Sequence, residues 1–158
     1  MAEDQPSKTK VRRATVGDLR TLVEFNAAMA QETEGKTLEP ERLRDGVAAL
    51  LDDDGRGFYF VAENSGQVVG QLLITTEWSD WRNAYFWWIQ SVYVTPGFRR
   101  RGVYRNLHNH VVAESRVRGD VCGLRLYVDR ENSVAQRVYA SLGMRQSHYE
   151  LWEIDFLR

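Results

Sequence analysis

Apolar positions recur at helical spacing in four stretches of the chain and alternate at strand spacing in six others. Leu19, Leu22 and Val23 make the apolar stripe of a helix that starts near Thr15, a capping residue with Asp18 in the first turn. Gly35 breaks it. A second helix fits Glu39–Leu51, closed by the acidic run Asp52–Asp54 with Gly55 and Gly57. Val103, Leu107 and Val111 predict a third over about 101–118. Val134, Val138 and Leu142 predict a short fourth over Ser133–Leu142, with Gly143 where a helix-ending glycine belongs.

Between these helices, Lys10–Arg13 reads as a short opening strand. Phe58–Ala62 and Val68–Thr76 flank the turn-like Asn64-Ser65-Gly66, as in a hairpin. Tyr85–Val94 is a long run in which Phe86, Trp88, Gln90, Val92 and Val94 share one face and Tyr85, Trp87, Ile89, Ser91 and Tyr93 the other. Both faces are largely apolar, which predicts a central strand covered on both sides. Cys122, Leu124, Leu126 and Val128 alternate as a further strand, and Gln146–Phe156 is expected to form the last. The order β-α-α-β-β-β-α-β-α-β predicts a mixed α/β (α+β) fold. Its late strand–helix–strand succession implies a right-handed crossover and at least one parallel pair.

Length and composition narrow this further. The chain has 158 residues, 43% of them hydrophobic. A chain of this size typically buries ~68–70% of its unfolded surface, enough for a core without metal or disulfide staples. The first seven residues read as a disordered tail, leaving 8–158 as one domain. The single cysteine, Cys122, excludes an intramolecular disulfide and cysteine-rich zinc modules. No apolar run approaches the ~20 residues that span a bilayer, and the N-terminus lacks a signal peptide's apolar segment. The expectation is a soluble, cytoplasmic domain without a metal site. His108 and His110, two apart on a helix, point in different directions and make a poor metal pair.

Charge is uneven along the chain. Residues 1–81 carry nine Lys and Arg against fifteen Asp and Glu, whereas residues 82–158 carry twelve against seven. All twelve basic residues of the second half are arginine, the planar fork suited to phosphate. Four of them, Arg99, Arg100, Arg101 and Arg105, lie in a stretch that leaves the central strand, turns at Pro96-Gly97 and enters a helix. The first N–H groups of a helix lack intrahelical partners, and the macrodipole adds roughly half a positive charge there. Gly102 lets an anion approach the backbone closely. Together these parts would cradle a pyrophosphate; the other reading is a basic helix start with a glycine for packing. No Walker A loop is present, and Gly97 and Gly102 have the wrong spacing for a dinucleotide fingerprint.

The segment Arg99-Arg100-Arg101-Gly102-Val103-Tyr104, following Val92-Tyr93-Val94-Thr95-Pro96, resembles motif A of the GNAT superfamily of N-acetyltransferases, Gln/Arg-x-x-Gly-x-Gly/Ala. Tyr104 departs from the small residue at the last position. Asn132, Ala135, Tyr139 and Gly143 fall at the intervals of the family's motif B, and the resemblance covers about residues 10–157. It implies a mostly antiparallel sheet with one splayed parallel pair and about four helices. Acetyl-CoA would lie in the splay between Tyr85–Val94 and Cys122–Val128 as co-substrate. Its pantetheine arm would pair with Val92, Tyr93 and Val94, and its pyrophosphate would sit on the amides of Arg100 to Arg105, Val103 and Tyr104 included. Asn132 would contact the arm, and Tyr139 would protonate the departing thiolate.

The resemblance leaves the general base open. Trp88 and Gln90 occupy the strand positions where some members carry a glutamate. Glu77 is the best local carboxylate, Asp80 the second, and a water relay the third route. The family's first two helices usually wall the acceptor pocket, and residues 31–54 here hold eight Asp and Glu against three Lys and Arg. Glu32 and Glu34 could attract an ammonium group, with Trp78, Trp81 and Trp88 as aromatic faces and Gln90 beside them; solvated acids and core aromatics are the plainer reading. A primary amine on a small molecule or peptide is the expected acceptor, and a homodimer stays open. A non-catalytic acyl-CoA sensor is the alternative. Nucleic-acid binding through the arginine cluster is disfavoured by the acidic stretches and a pI near 6.3, and no membrane partner is expected.

Overall fold

The computed structural model describes residues 9–157, so the expected tail at 1–7 lies outside the described residues. Five strands form one sheet in the order β1-β2-β3-β4-β5: Lys10–Arg13, Phe58–Asn64, Gln67–Ser79, Ala84–Val94 and Val121–Leu126. The first four pair antiparallel, and β4 and β5 are parallel. The four helices among the described residues are α1 (Leu19–Glu34), α2 (Pro40–Asp52), α3 (Val103–Arg118) and α4 (Ser133–Ser141). The architecture is the mixed sheet with one parallel pair that the sequence pattern predicts. The chain divides into two compact units between Tyr127 and Val128.

In the first unit the sheet is covered on both faces. Phe58, Phe60, Leu72, Ile74, Trp87 and Ile89 pack with Val103, Leu107 and Val111 of α3. On the opposite face Tyr59, Val61 and Leu73 pack with Leu22 of α1 and Val47 of α2. Each such fully buried side chain contributes roughly 1.5–3 kcal/mol. The apolar stripes read from the sequence are the buried ones because each helix has one sheet face to cover.

Local chemistry fixes the ends. The entry to α1 is a single 3₁₀ turn, Val16–Asp18, in which the Thr15 amide donates to Asp18 Oδ2 at 2.8 Å. Arg12 of β1 grips the same carboxylate at 2.8 and 2.9 Å and Glu63 of β2 at 2.7 Å. Glu39 caps α2 by accepting from the amides of Glu41 and Arg42. No helix among the described residues is long and apolar enough to cross a membrane.

Two expectations need correction. Gln146–Phe156 forms no strand, and Tyr149, Leu151, Trp152, Ile154 and Phe156 are all exposed. The alternation on β4 also breaks. Val92 and Val94 pack with Tyr85 and the Trp87–Ile89 face rather than with Phe86 and Trp88, while Tyr93 turns to Phe25 of α1 at 5.0 Å. A bulge at Ser91 is the cause.

Candidate functional site

On β3 the register jumps from Leu73 opposite Gln90 to Gln71 opposite Tyr93, so Ser91 and Val92 together face one residue. Ser91 lies at φ 49°, the left-handed region that a non-glycine residue enters at roughly 1–2 kcal/mol. Buried polar groups hold it there. Gln71 Nε2 donates to the Ser91 carbonyl at 2.9 Å, the Tyr59 hydroxyl bonds the Ser91 side chain, and Asn26 Nδ2 of α1 donates to Tyr59 at 3.1 Å. Gln71 is fully buried, and its Oε1 has no hydrogen-bond partner. Burial also pushes the Tyr59 phenol up.

The bulge sits where β4 parts from β5. Their pairing ends at Ile89 opposite Leu126, and β4 continues through Gln90–Val94 paired only to β3. Past the bulge, one edge of β4 therefore has no strand neighbour among the described residues. An extended, amide-bearing ligand can pair with such an edge as an added strand. Val92, Tyr93 and Val94 lie on it.

The edge runs straight into the arginine turn. Pro96–Phe98 makes one 3₁₀ turn, then Arg100 at φ 62° and Gly102 at φ 78° both take left-handed conformations before α3 begins. The first helical bond runs from Asn106 N to Gly102 O, so the N–H groups of Val103, Tyr104 and Arg105 have no acceptor inside the helix. Nothing lies within 4 Å of a Cβ built on Gly102, which identifies backbone conformation, not crowding, as the reason for glycine. Arg99, Arg100, Arg101 and Arg105 are exposed around this turn. Arg99 is fixed by its Nε donating to Val94 O at 2.8 Å and lies over the Tyr93 ring. The Tyr104 hydroxyl lies 3.5 Å from His108 Nδ1, back along α3.

The sequence-nominated acceptor residues are only partly brought together. Glu77, Trp88 and Gln90 share the α1–α2 side of the sheet. Glu77 Oε1 accepts from Trp88 Nε1 at 3.0 Å and from Arg125 Nη1 at 2.9 Å, and Gln90 Nε2 donates to Thr75 Oγ1 at 2.6 Å. Arg125 lies 3.5 Å above the Phe86 ring, and Tyr127 lies 4.6 Å from Trp88. Trp78 faces the opposite way, edge-on to Tyr85 at 4.9 Å. Asp80 accepts from the Trp81 amide, and Trp81 is exposed. Glu32 of α1 pairs with Arg99 Nη2 at 2.8 Å, so a residue nominated for the acceptor is tied to one nominated for the cofactor. Glu34 pairs with Lys36.

In the second unit, Asn132 Oδ1 accepts from the Ala135 amide and caps α4. Tyr139 sits in that helix, half-buried, and burial pushes its phenol above the usual tyrosine range. A hydroxyl held in that way keeps its proton at neutral pH and can give it to a strong base. The sequence reading passed over Asn26, Tyr59, Gln71, Ser91 and Arg125. One signal was available for Gln71: it is the lone polar residue in Val-Val-Gly-Gln-Leu-Leu-Ile.

Known proteins share this fold. The family model for the acetyltransferase (GNAT) family matches residues 22–144. A possible acetyltransferase from Clostridium difficile 630 is 41% identical, with a TM-score of 0.89 over 95% of this chain and 99% of its own. A predicted acetyltransferase with acetyl-CoA from Clostridium acetobutylicum is 18% identical, with a TM-score of 0.75 over 94% and 97%. A ribosomal-protein-alanine N-acetyltransferase from Brucella melitensis biovar Abortus 2308 is 16% identical, with a TM-score of 0.76 over 94% and 99%. No curated protein sequence matches the chain. The match over residues 22–144, together with 41% identity along nearly the whole length, shows that this chain belongs to the GNAT acetyltransferase family.

Proposed function

We propose that the protein transfers an acetyl group from acetyl-CoA to a primary amine by direct attack of the amine on the thioester. The observation that carries this reading is the open edge of β4 past Ser91, continuous with the left-handed arginine turn at the start of α3. The fit is chemical. Unpaired strand edge suits the amides of a pantetheine arm, and helix-start N–H groups beside four arginines suit a diphosphate. Acetyl-CoA brings the activated acetyl thioester. Val92, Tyr93 and Val94 hold the arm and Arg99 to Arg105 with Gly102 hold the diphosphate; Asn132 is the further residue given to the cofactor.

Transfer forms an N–C bond and breaks the C–S bond. Tyr139 gives its hydroxyl proton to the leaving sulfur. The amine proton leaves through Glu77, Asp80 or a water between them and solvent. Trp88 and Gln90 floor the acceptor site, with Glu32 on the wall helix, whereas Trp78, on the opposite face of the sheet, takes no part in it. Acetyl-CoA in a GNAT neighbour supports the choice of co-substrate.

The engagement of Glu77 by Arg125 and Trp88 favours a second reading, an acyl-CoA sensor without turnover. One experiment separates the two. Purified protein with acetyl-CoA and a panel of primary amines is expected to release free thiol. The Tyr139→Phe variant is expected to lose about 100-fold or more in turnover at nearly unchanged acetyl-CoA affinity. Saturable binding with no thiol release from any amine would leave the sensor, and equal turnover in the variant would remove Tyr139 as the acid.

A further inference from the structure

The α1–α2 side of the sheet carries more than the acceptor floor of Trp88 and Gln90. Phe86 of β4 lies there beside Glu77 of β3 and Arg125 of β5, all within the first unit. Gly123, opposite Phe86 in register, makes room for the ring: a Cβ built on it would meet the ring at 2.9 Å. Two cations share that ring. The Arg125 guanidinium lies 3.5 Å from its centroid and that of Arg82 4.7 Å. A guanidinium held over an aromatic face keeps its N–H edge free for other partners. Arg82 is placed by the β3–β4 turn. Its amide donates to Ser79 Oγ at 3.3 Å, and Asn83 after it takes a left-handed φ of 50°, which asparagine tolerates.

Only part of the polar capacity of this cluster is used. Glu77 Oε1 accepts from Trp88 Nε1 and Arg125 Nη1, and Oε2 has no partner among the described residues. The Arg82 guanidinium makes no hydrogen bond or ion pair with a described residue, and Arg125 spends only Nη1. One carboxylate oxygen and two guanidinium edges stay on offer, an acceptor for an ammonium group and donors for an oxyanion. The acids of α1 offer less: Glu32 is paired with Arg99 and Glu34 with Lys36.

We propose that the acceptor is a primary amine that also carries a carboxylate, with its amine directed to Glu77 and its carboxylate held by Arg82 and Arg125 over Phe86. The inference rests on the acyl-transfer reading and narrows its substrate class. A carboxylate suits two planar forks, each able to give parallel N–H groups to its oxygens. Glu77 in the same cluster limits the charge, because it repels a phosphate dianion more than a singly charged carboxylate. Arg125 stands opposite Trp88, one pair before Ile89–Leu126, where β4 and β5 part. A ligand held by Arg125 therefore lies beside the opening proposed for the thioester.

Thiol release from acetyl-CoA tests this with matched acceptors: glycine, β-alanine, 4-aminobutyrate, 6-aminohexanoate and the common L-amino acids, each against its primary amide, and O-phosphoethanolamine. The amide keeps the amine and the chain length and removes the negative charge. The best acceptor is expected to be a carboxylate, favoured over its amide at least tenfold in kcat/KM. Arg82→Gln is expected to cut that ratio about tenfold, through KM, and Arg82→Lys to restore part of it. Amides used as well as the acids, O-phosphoethanolamine preferred to every carboxylate, or a preference that survives Arg82→Gln would each overturn the proposal and leave the transferase standing. Thiol release from none of these acceptors, nor from any other primary amine, would overturn acyl transfer itself and the proposal with it.

Discussion

At φ 78° the backbone of Gly102 lies where a branched side chain costs of order 1–3 kcal/mol, and its surroundings are open. Gly102→Val is therefore expected to distort the arginine turn without disturbing the core. Acetyl-CoA affinity should fall at least tenfold in calorimetry while the thermal midpoint moves little; unchanged affinity would dissociate the turn from the diphosphate. Arg99 offers a finer test. Its pair with Glu32 is about 43% exposed on both sides, so it is screened and weak, and it competes with any anion that needs the same guanidinium. Glu32→Gln is expected to raise acetyl-CoA affinity about two- to fivefold at low salt and to leave it unchanged at high salt. A fall in affinity would show that Glu32 orients Arg99 for the phosphate instead of holding it back.

Elements were legible in the sequence where side-chain period and burial coincide. Leu22 of α1 and Leu107 of α3 are fully buried where the helical stripes put them, and the Arg99–Gly102 turn falls between strand and helix as its residue types require. The β4 bulge was not legible, because Val92, Tyr93 and Val94 fit either face and the buried polar contacts of Gln71 and Tyr59 with Ser91 decide between them. Gln146–Phe156 failed for a different reason: alternation predicts a strand but cannot supply its neighbour. The entry to α1 shows how far one contact can hold an element. Asp18 is buried, and Arg12, then the Thr15 amide, hold its carboxyl below the usual carboxylate range. A depressed value of this kind contributes stability above the unfolded pKa of about 3.9 and loses it as pH falls through the folded value. Asp18→Asn is expected to lose about 2 kcal/mol at neutral pH, read from urea unfolding. The gap from wild type should close below about pH 4; a gap independent of pH would mean that packing, not charge, holds the turn.

For the whole molecule, the segregation of charge bears on how the proposed co-substrate, acetyl-CoA, would be taken up. The second half carries all twelve of its positive charges as arginine, four of them around one turn, while the first half is acidic. Such a field steers an anionic ligand to the turn and away from the α1–α2 face, and it weakens as salt shortens the screening length to about 8 Å at physiological strength. Binding to the folded state alone stabilises by mass action, about 2.7 kcal/mol at a ligand concentration of 100 times Kd. In a chain of this size that is a rise of roughly 5–10 °C in thermal midpoint. CoA and acetyl-CoA are expected to give similar shifts, because the diphosphate and the pantetheine arm are common to both. Dephospho-CoA at the same concentration should give a smaller shift if the arginines also reach the 3′-phosphate, and pantetheine almost none. All the shifts should shrink as salt is raised. A shift with pantetheine equal to that with CoA, or one insensitive to salt, would assign the binding energy to the β4 edge and remove the arginine turn from the account.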